Sequence, residues 1–166
     1  MRIQAFIGIG SNLGDRLANC QAAIDRLGHL PGTEFVRASP FIESDPQEGV
    51  GGGRFLNAAA EIATTLPPRQ LLGHLQQIEV GLGRAADHLP GAARSMDLDL
   101  LLYGDTVIRE ADLTVPHPRL AERRFVLAPL AALDPGLRHP LLQVTVAELL
   151  RRLGTEAPRL FSRISW

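Results

Sequence analysis

Two aspartates in the run RSMDLDLLLYG are the first candidates for chemistry in this chain. Asp97 and Asp99 lie in an apolar, β-like segment, and residues two apart on a strand point to the same face, with Cβ atoms about 6 to 7 Å apart. We expect Leu98, Leu100 and Leu102 to be buried on the opposite face. A pair of carboxylates suits Mg²⁺, which binds one or two of them together with phosphate oxygens and water. Two solvated acids on an edge strand are the alternative interpretation.

The basic residues restrict the chemistry further. All 17 are arginine, which excludes a lysine-dependent phosphate loop and a lysine Schiff base. A net charge of -1 gives no indication of a nucleic-acid or membrane surface. Arg84 and Arg94 bracket a Gly- and Ala-containing segment that we interpret as a long loop, and a guanidinium fork suits phosphate oxygens. Solvated loop arginines are the alternative.

Three kinds of side chain could recognise an organic ring. Asn57 in RFLNAAAEI offers both a donor and an acceptor, as the edge of a heterocycle requires, although a buried Asn bonded to the backbone fits equally well. Phe55 and Phe125 could stack on a planar ligand or could belong to the core. His117 lies between two prolines in an extended segment and is either a nucleotide contact or a surface histidine.

The elements that would position these residues follow from hydrophobic periodicity and from breaker residues. The pattern predicts, in order, a strand over 3–9, a helix over 13–27 with Ser11 or Asn12 as N-cap, strands over 34–44 (interrupted by Pro40) and 55–64, a helix opened by Pro67 and Pro68, a strand over 96–103 and a helix over 146–153. This is the split βαβ order of a ferredoxin-like α+β fold, an antiparallel sheet with two helices on one face. Residues 1–166 are expected to form a single domain.

Other features of the sequence have plainer interpretations. GIGSNLGD is similar to a dinucleotide fingerprint, but neither the acidic residue that would close the second strand nor a repeating parallel plan is evident. We therefore expect its glycines to form a tight turn and to allow helix packing. Cys20 has helical spacing with Leu17 and Ile24 and is expected to be buried. No segment predicts a signal peptide or a membrane span, so a cytoplasmic protein is expected.

Several motifs in a fixed order resemble one enzyme family. GIGSNLG, FLNAA, RSMDLDLLLYG and LTVPHPRLAERRFVLAPL are similar to segments of hydroxymethyl-dihydropterin pyrophosphokinase, over about residues 3–153. The resemblance implies a ferredoxin-like core with helices on its faces. It also implies transfer of the β,γ-diphosphate of ATP to a reduced pterin, with release of AMP and with two Mg²⁺ ions.

The resemblance also assigns roles to individual residues. It implies metal binding by Asp97 and Asp99 and phosphate contacts by Arg84 and Arg94. Pterin contacts are implied for Ser44, Phe55, Asn57 and Phe125, and nucleotide contacts for Gln76, Leu100, His117 and Arg123. Three positions depart from the family's pattern: Gly91 stands about where an aromatic is often found, Pro118 follows His117, and Asp112 stands where a basic residue can contact the nucleotide.

Two other functions fit parts of the pattern. A generic two-metal phosphohydrolase could use the same aspartates without a pterin, and a non-catalytic ligand-sensing module could share the split βαβ core. The expected partners are small molecules, ATP and a reduced pterin, with no nucleic acid and no membrane. A monomer is expected because no spare apolar stripe is evident.

Overall fold

A computed structural model describes residues 1–45, 53–83 and 96–154, together with the backbone of 159–160. Its elements in chain order are β1 (Ile3–Ser11), α1 (Arg16–Gly28), β2 (Thr33–Ala38), β3 (Ile42–Ser44), β4 (Phe55–Thr64), α2 (Pro68–Gly81), β5 (Asp97–Tyr103), β6 (Ile108–Glu110), β7 (Leu113–Val115), a 3-10 turn (Leu120–Glu122), α3 (Arg124–Leu133), α4 (Val146–Arg152) and β8 (Arg159–Leu160). The predicted segments EGVGGGR (in its first five residues) and 84–94 lie outside the described residues.

The main sheet has the strand order that a split βαβ unit requires. Its path is β5-β1-β4-β3-β8, and β2 pairs with β4 beside β3. The pairs are antiparallel, and β1 runs along β4 from Ile3 opposite Thr64 to Ser11 opposite Leu56. Pro40 separates β2 from β3, as predicted, because proline cannot donate a ladder hydrogen bond. The ferredoxin-like α+β fold is therefore confirmed.

Each face of the sheet carries a helical layer. The apolar side chains of α1 and α2 meet one face in a cluster that includes Cys20, Leu27, Leu71 and Leu75. The other face is covered by α3 and α4, through residues such as Leu127 and Leu149. The sequence predicted the first layer and α4, but not α3. FVLAPLAAL contains Pro129 and is apolar on nearly every side, so it lacks the amphipathic period by which a helix is recognised.

The first strand and the first helix differ from the prediction at their junction. Strand β1 continues through Gly8 and Gly10 to Ser11, and the tight turn follows at Gly14, whose φ is +70°. Asp15 is the N-cap of α1, since its Oδ1 accepts a hydrogen bond from the Ala18 amide at 3.1 Å. The predicted caps, Ser11 and Asn12, are therefore wrong. Because β1 extends two residues beyond the predicted strand, the turn and the N-cap both lie further along the chain.

Strand β5 contains a bulge that changes one predicted face. Ile7 pairs with Leu100 but Phe6 pairs with Leu102, so Leu101 is an extra residue in β5. Leu98 and Leu100 pack against α1 and α2, as expected. Leu102 instead joins the α3 and α4 cluster, so its predicted face was wrong because the alternation of side chains restarts after a bulge.

Two smaller predictions concern burial and membranes. Cys20 is completely buried, as predicted, and this burial raises the pKa of its thiol to about 12. Within the described residues, no helix combines the length and the apolar character that crossing a membrane requires.

Candidate active site

The floor of the candidate site is formed by Gly8 and Gly10 of β1, two glycines that project no side chain into the site. Gly10 of β1 pairs with Asn57 of β4 on one side and with Asp97 of β5 on the other, and Gly8 pairs with Asp99. Residues opposite each other in a sheet share a face, so the amide and the two carboxylates project to the same side. With strands about 4.8 Å apart, Asn57 and Asp97 are separated by about 10 Å across Gly10. The predicted convergence of the two aspartates is consistent with this register.

Above this floor is an open cavity. It brings together seven of the residues singled out from the sequence: Ser44, Phe55, Asn57, Asp97, Asp99, Arg123 and Phe125. They come from β3, β4, β5 and the start of α3, so segments far apart in the chain build one site.

The β3 and β4 end of the cavity is polar. Asn57 is buried, with 4% of its surface exposed, and its Nδ2 donates a hydrogen bond to Ser44 Oγ at 2.7 Å. This bond orients the amide and leaves its carbonyl oxygen available to a ligand's donor. Asp45 also lines the cavity and forms a 3.1 Å ion pair with Arg54. Asp45 had no signal in the sequence, because a single acid beside a proline is common in loops.

The α3 wall combines a cation with an aromatic ring. The guanidinium carbon of Arg123 lies 5.6 Å from the centroid of the Phe125 ring, within cation–π distance. Arg123 Nε is buried and has no hydrogen-bond partner among the described residues. Burial lowers the pKa of Arg123, Arg119 lowers it further, and Asp99 and Asp97 oppose the shift. An arginine so placed favours an anionic ligand, because a buried donor without a partner is costly.

A second cavity lies on the other side of Asp99. Asp99, Leu98, Leu100 and His117 line it together with Leu72 of α2 and residues of the hairpin formed by β6 and β7. Asp99 is thus common to both cavities, and a ligand in one can meet a ligand in the other beside this carboxylate.

Backbone contacts hold His117 at this junction. Its amide donates to the Leu101 carbonyl at 2.9 Å, and its Nδ1 accepts from the Arg119 amide at 3.2 Å. In the neutral ring the proton is therefore on Nε2, which lies 4.0 Å from Asp99 Oδ1. Burial lowers the pKa of His117, Arg123 adds to this effect, and Asp97 opposes it.

Asp112, one of the three positions that depart from the family's pattern, also lies at the second cavity. Asp112 lines the cavity and receives a 2.7 Å hydrogen bond from Arg69 at the start of α2. This guanidinium lowers the pKa of the Asp112 carboxyl, and Arg69 also forms an ion pair with Glu110. Arg69 therefore ties the tip of the hairpin to α2.

Leu100 and His117 line only the second cavity, and the described structure places three further predicted site residues in neither cavity. Gln76 is exposed on α2 and lines neither of the two cavities. Arg84 and Arg94 lie outside the described residues.

The glycines of the floor were the main residues that sequence reasoning missed. Gly8 and Gly10 were expected to form a turn, yet they lie inside β1 and line the cavity. A signal was present, because glycines two apart within a strand mark one face where another group approaches the backbone closely.

The described residues thus combine a ferredoxin-like sheet with a cavity lined by two aromatic rings, two carboxylates and an arginine, an arrangement that suits a planar heterocycle beside an anionic co-substrate. The model of the 7,8-dihydro-6-hydroxymethylpterin-pyrophosphokinase (HPPK) family matches residues 6–135. The chain belongs to this family, and the resemblance inferred from its motifs is confirmed.

Relatives of similar length support the same assignment. The chain is 42% identical over 137 residues to 2-amino-4-hydroxy-6-hydroxymethyldihydropteridine pyrophosphokinase of Pseudomonas aeruginosa, covering 82% of this chain and 84% of that protein. It is 37% identical over 152 residues to the Haemophilus influenzae protein of the same name, covering 92% and 94%.

Longer proteins match only in part. The folic acid synthesis protein fol1 of Schizosaccharomyces pombe is 39% identical over 158 residues, which are 95% of this chain but 21% of fol1. Among solved structures, an HPPK-DHPS triple mutant of Plasmodium falciparum superposes with a TM-score of 0.76 at 14% identity, covering 92% of this chain and 44% of that one. This chain thus spans about a fifth of the first protein and less than half of the second, and the structural likeness concerns the fold.

Proposed function

We propose that this chain transfers the β,γ-diphosphate of ATP to the hydroxymethyl group of 6-hydroxymethyl-7,8-dihydropterin in folate biosynthesis. The hydroxymethyl oxygen attacks the β-phosphorus, the bond from that phosphorus to the α,β-bridging oxygen breaks, and AMP leaves while the hydroxyl proton is released. The observation that carries the proposal is the register of Gly10, which places Asn57 and Asp97 on one face at opposite ends of one cavity.

The polar end of the cavity suits the edge of a pterin. Asn57, oriented by Ser44, presents its carbonyl oxygen to the ring's N–H groups, while Phe55 and Phe125 supply aromatic surface beside the ring. A ring held at this end would extend across Gly10 towards Asp97, since the separation of about 10 Å is close to the length of a substituted bicyclic ring. The hydroxymethyl group would then lie at the carboxylates.

The second cavity suits the nucleotide. Its leucines, including Leu100, offer an apolar surface to a base, and His117 and Asp99 lie on the side that faces the first cavity. We propose Gln76 as a further nucleotide contact, reached from α2. The triphosphate would then extend from the second cavity towards Arg123, whose buried Nε is without a partner among the described residues.

Asp97 and Asp99 are proposed to hold Mg²⁺, two ions in all. The donor set fits this ion, because both residues supply hard oxygen ligands and their side chains project from one strand face. Asp97 lines the first cavity, and Asp99 lines both cavities. No group of three or more potential ligands of the His, Cys, Asp or Glu type occurs in the described residues, so phosphate and water would complete the coordination. When bound, the metal neutralises charge that develops on the transferred phosphates.

The arginines are proposed to complete this electrostatic role. Arg123 can donate from the α3 wall, and we propose that Arg84 and Arg94 contact the phosphates as well. Fixed cations contribute to phosphoryl transfer by stabilising the charge of the transition state rather than by covalent chemistry.

The proposal is tested by measuring AMP formation from ATP with and without 6-hydroxymethyl-7,8-dihydropterin, while magnesium is titrated. We expect AMP to depend on the pterin and to appear in equal amounts with the pterin diphosphate. Equal rates without pterin would instead identify a phosphohydrolase. Asp97→Asn and Asp99→Asn should each lower kcat by roughly 10²- to 10³-fold, and full activity in both variants would contradict a role in metal binding.

We further propose that residues 1–166 form one catalytic domain that acts as a cytoplasmic monomer. Support for a single domain comes from the two apolar clusters, which are built on opposite faces of one sheet. Light scattering of the purified chain tests the oligomeric state, and a dimer mass would contradict it.

A further inference from the structure

A buried carboxylate on α2 faces the edge strand that carries the aspartate pair. Glu79 exposes only 8% of its surface, and its Oε2 accepts a hydrogen bond from the Leu98 amide at 2.8 Å. Leu98 is the residue between Asp97 and Asp99. This contact therefore joins α2 to the backbone at the centre of the pair.

The position of β5 in the sheet explains why such a contact matters. Strand β5 is at the edge of the sheet and pairs only with β1 on the described path, so every second backbone amide points away from any strand. The outward amides of an edge strand have no strand partner, so another group must accept their hydrogen bonds. Glu79 binds one of these outward amides, at Leu98.

A second contact acts on the other side of the pair. The bulge residue Leu101 offers its carbonyl oxygen to the His117 amide at 2.9 Å. Strand β5 is thus fixed at Leu98 by α2 and at Leu101 by the segment that follows β7. Asp99 lies between these two anchors, and Asp97 lies directly before the first.

We propose that Glu79 is a positioning residue for the aspartate pair. It does not touch the substrates; it holds the Leu98 amide so that the carboxylates of Asp97 and Asp99 keep a common direction despite their mutual repulsion. Removing a group that orients metal ligands without touching the metal typically lowers metal affinity or activity by roughly 10- to 100-fold. The inference rests on the proposed function, because it assumes that the pair binds Mg²⁺.

Substitutions can separate the hydrogen bond from the negative charge. Glu79→Gln keeps an oxygen that can accept from the Leu98 amide but removes the charge, whereas Glu79→Ala removes both. Glu61 provides a matched control, because it is also a buried carboxylate, 7% exposed, and is bonded to Arg37 rather than to β5. Glu61→Ala should lower stability without acting on the aspartate pair.

The experiment measures two quantities for wild type and the three variants. The first is the hydrogen exchange of the Leu98 amide by NMR, and the second is the Mg²⁺ concentration that gives half-maximal binding of a non-hydrolysable ATP analogue by calorimetry. In Glu79→Ala we expect faster exchange at Leu98 and a requirement for roughly 10- to 100-fold more Mg²⁺. In Glu79→Gln and Glu61→Ala we expect both quantities to stay within about threefold of wild type, since neither change removes an acceptor from β5.

Three results would overturn the proposal. The first is an unchanged exchange rate of the Leu98 amide in Glu79→Ala, and the second is an unchanged Mg²⁺ requirement in that variant. The third is an equal rise in the Mg²⁺ requirement in Glu79→Gln, because the effect would then come from the lost charge. Failure of the proposed function itself would look different, because wild type would then form no pterin-dependent AMP while the response of Leu98 to Glu79→Ala remained.

Discussion

Adding one methyl group to the floor of the cavity should separate stability from binding. A Cβ built on Gly10 would lie 3.4 Å from Asn57 Oδ1 and 3.5 Å from Phe55 Cδ1, which is ordinary contact rather than a clash. Gly10 also has no positive φ that alanine would resist. We therefore predict that Gly10→Ala folds normally, while its methyl group occupies space that the pterin ring needs.

The two effects should have opposite signs. Replacing glycine by alanine inside a regular element stabilises it by about 0.5 to 1 kcal/mol, because the unfolded chain has less freedom to lose. A methyl group forced into a filled space costs about 1 to 3 kcal/mol, so the dissociation constant for the pterin should rise roughly 5- to 150-fold. A glycine kept only for folding would not give this combination.

The assay combines thermal unfolding with calorimetric pterin binding in the presence of an ATP analogue and magnesium. Gly73→Ala is the control, because a Cβ at Gly73 in α2 would meet nothing within 4 Å. It should raise stability by about 1 kcal/mol and leave binding unchanged. Tight pterin binding by Gly10→Ala would refute the assignment of Gly10 to the floor, and so would a loss of binding that merely follows unfolding.

Three further predictions concern single side chains. Phe125→Ala should raise the KM for the pterin roughly 2- to 10-fold, because it removes an aromatic ring from the cavity wall, and should change the KM for ATP less. Steady-state kinetics measures both constants, and equal effects on the two would count against stacking. Cys20, with a pKa raised to about 12 by burial, should not react with a thiol reagent at pH 8 until the chain unfolds, and rapid labelling of the folded protein would contradict this. Hydrogen bonds from Arg151 lower the pKa of Glu148 to about 2, so this carboxylate contributes stability above pH 4.5 that is lost as the pH falls towards 2. Melting curves of wild type and Glu148→Gln should therefore converge over that range, and a constant difference would refute the pairing.

Local patterns were sufficient for the parts of the site that depend on one element. The alternation of DLDL predicted that Asp97 and Asp99 share a face, because a strand's side-chain period is two wherever the strand is regular. The same rule failed at Leu102, since the extra residue at Leu101 becomes visible only when β1 is laid beside β5. A bulge is a property of a pair of strands, and one strand's sequence does not specify it.

The third layer of the fold shows a different limit. Helix α3 supplies Phe125 and follows directly after Arg123, yet its sequence is apolar on nearly all sides and contains a proline. Hydrophobic periodicity detects helices that have one solvent-exposed face, whereas α3 is covered by the sheet and by α4. The family resemblance led us to expect Arg123 and Phe125 in the site, and both line the first cavity, but the resemblance did not predict the helix that positions them.

The cavity itself depends on a relation that no local segment contains. Asn57 and Asp97 are forty positions apart in the sequence and face the same cavity only because both are register partners of Gly10. Sliding β4 or β5 by one residue along β1 would turn Asn57 or the aspartates to the opposite face, where α1 and α2 pack. The site therefore requires two things of position 10: an exact place in the register and the absence of a side chain. The absence of a side chain would have no purpose if no ligand bound between Asn57 and Asp97.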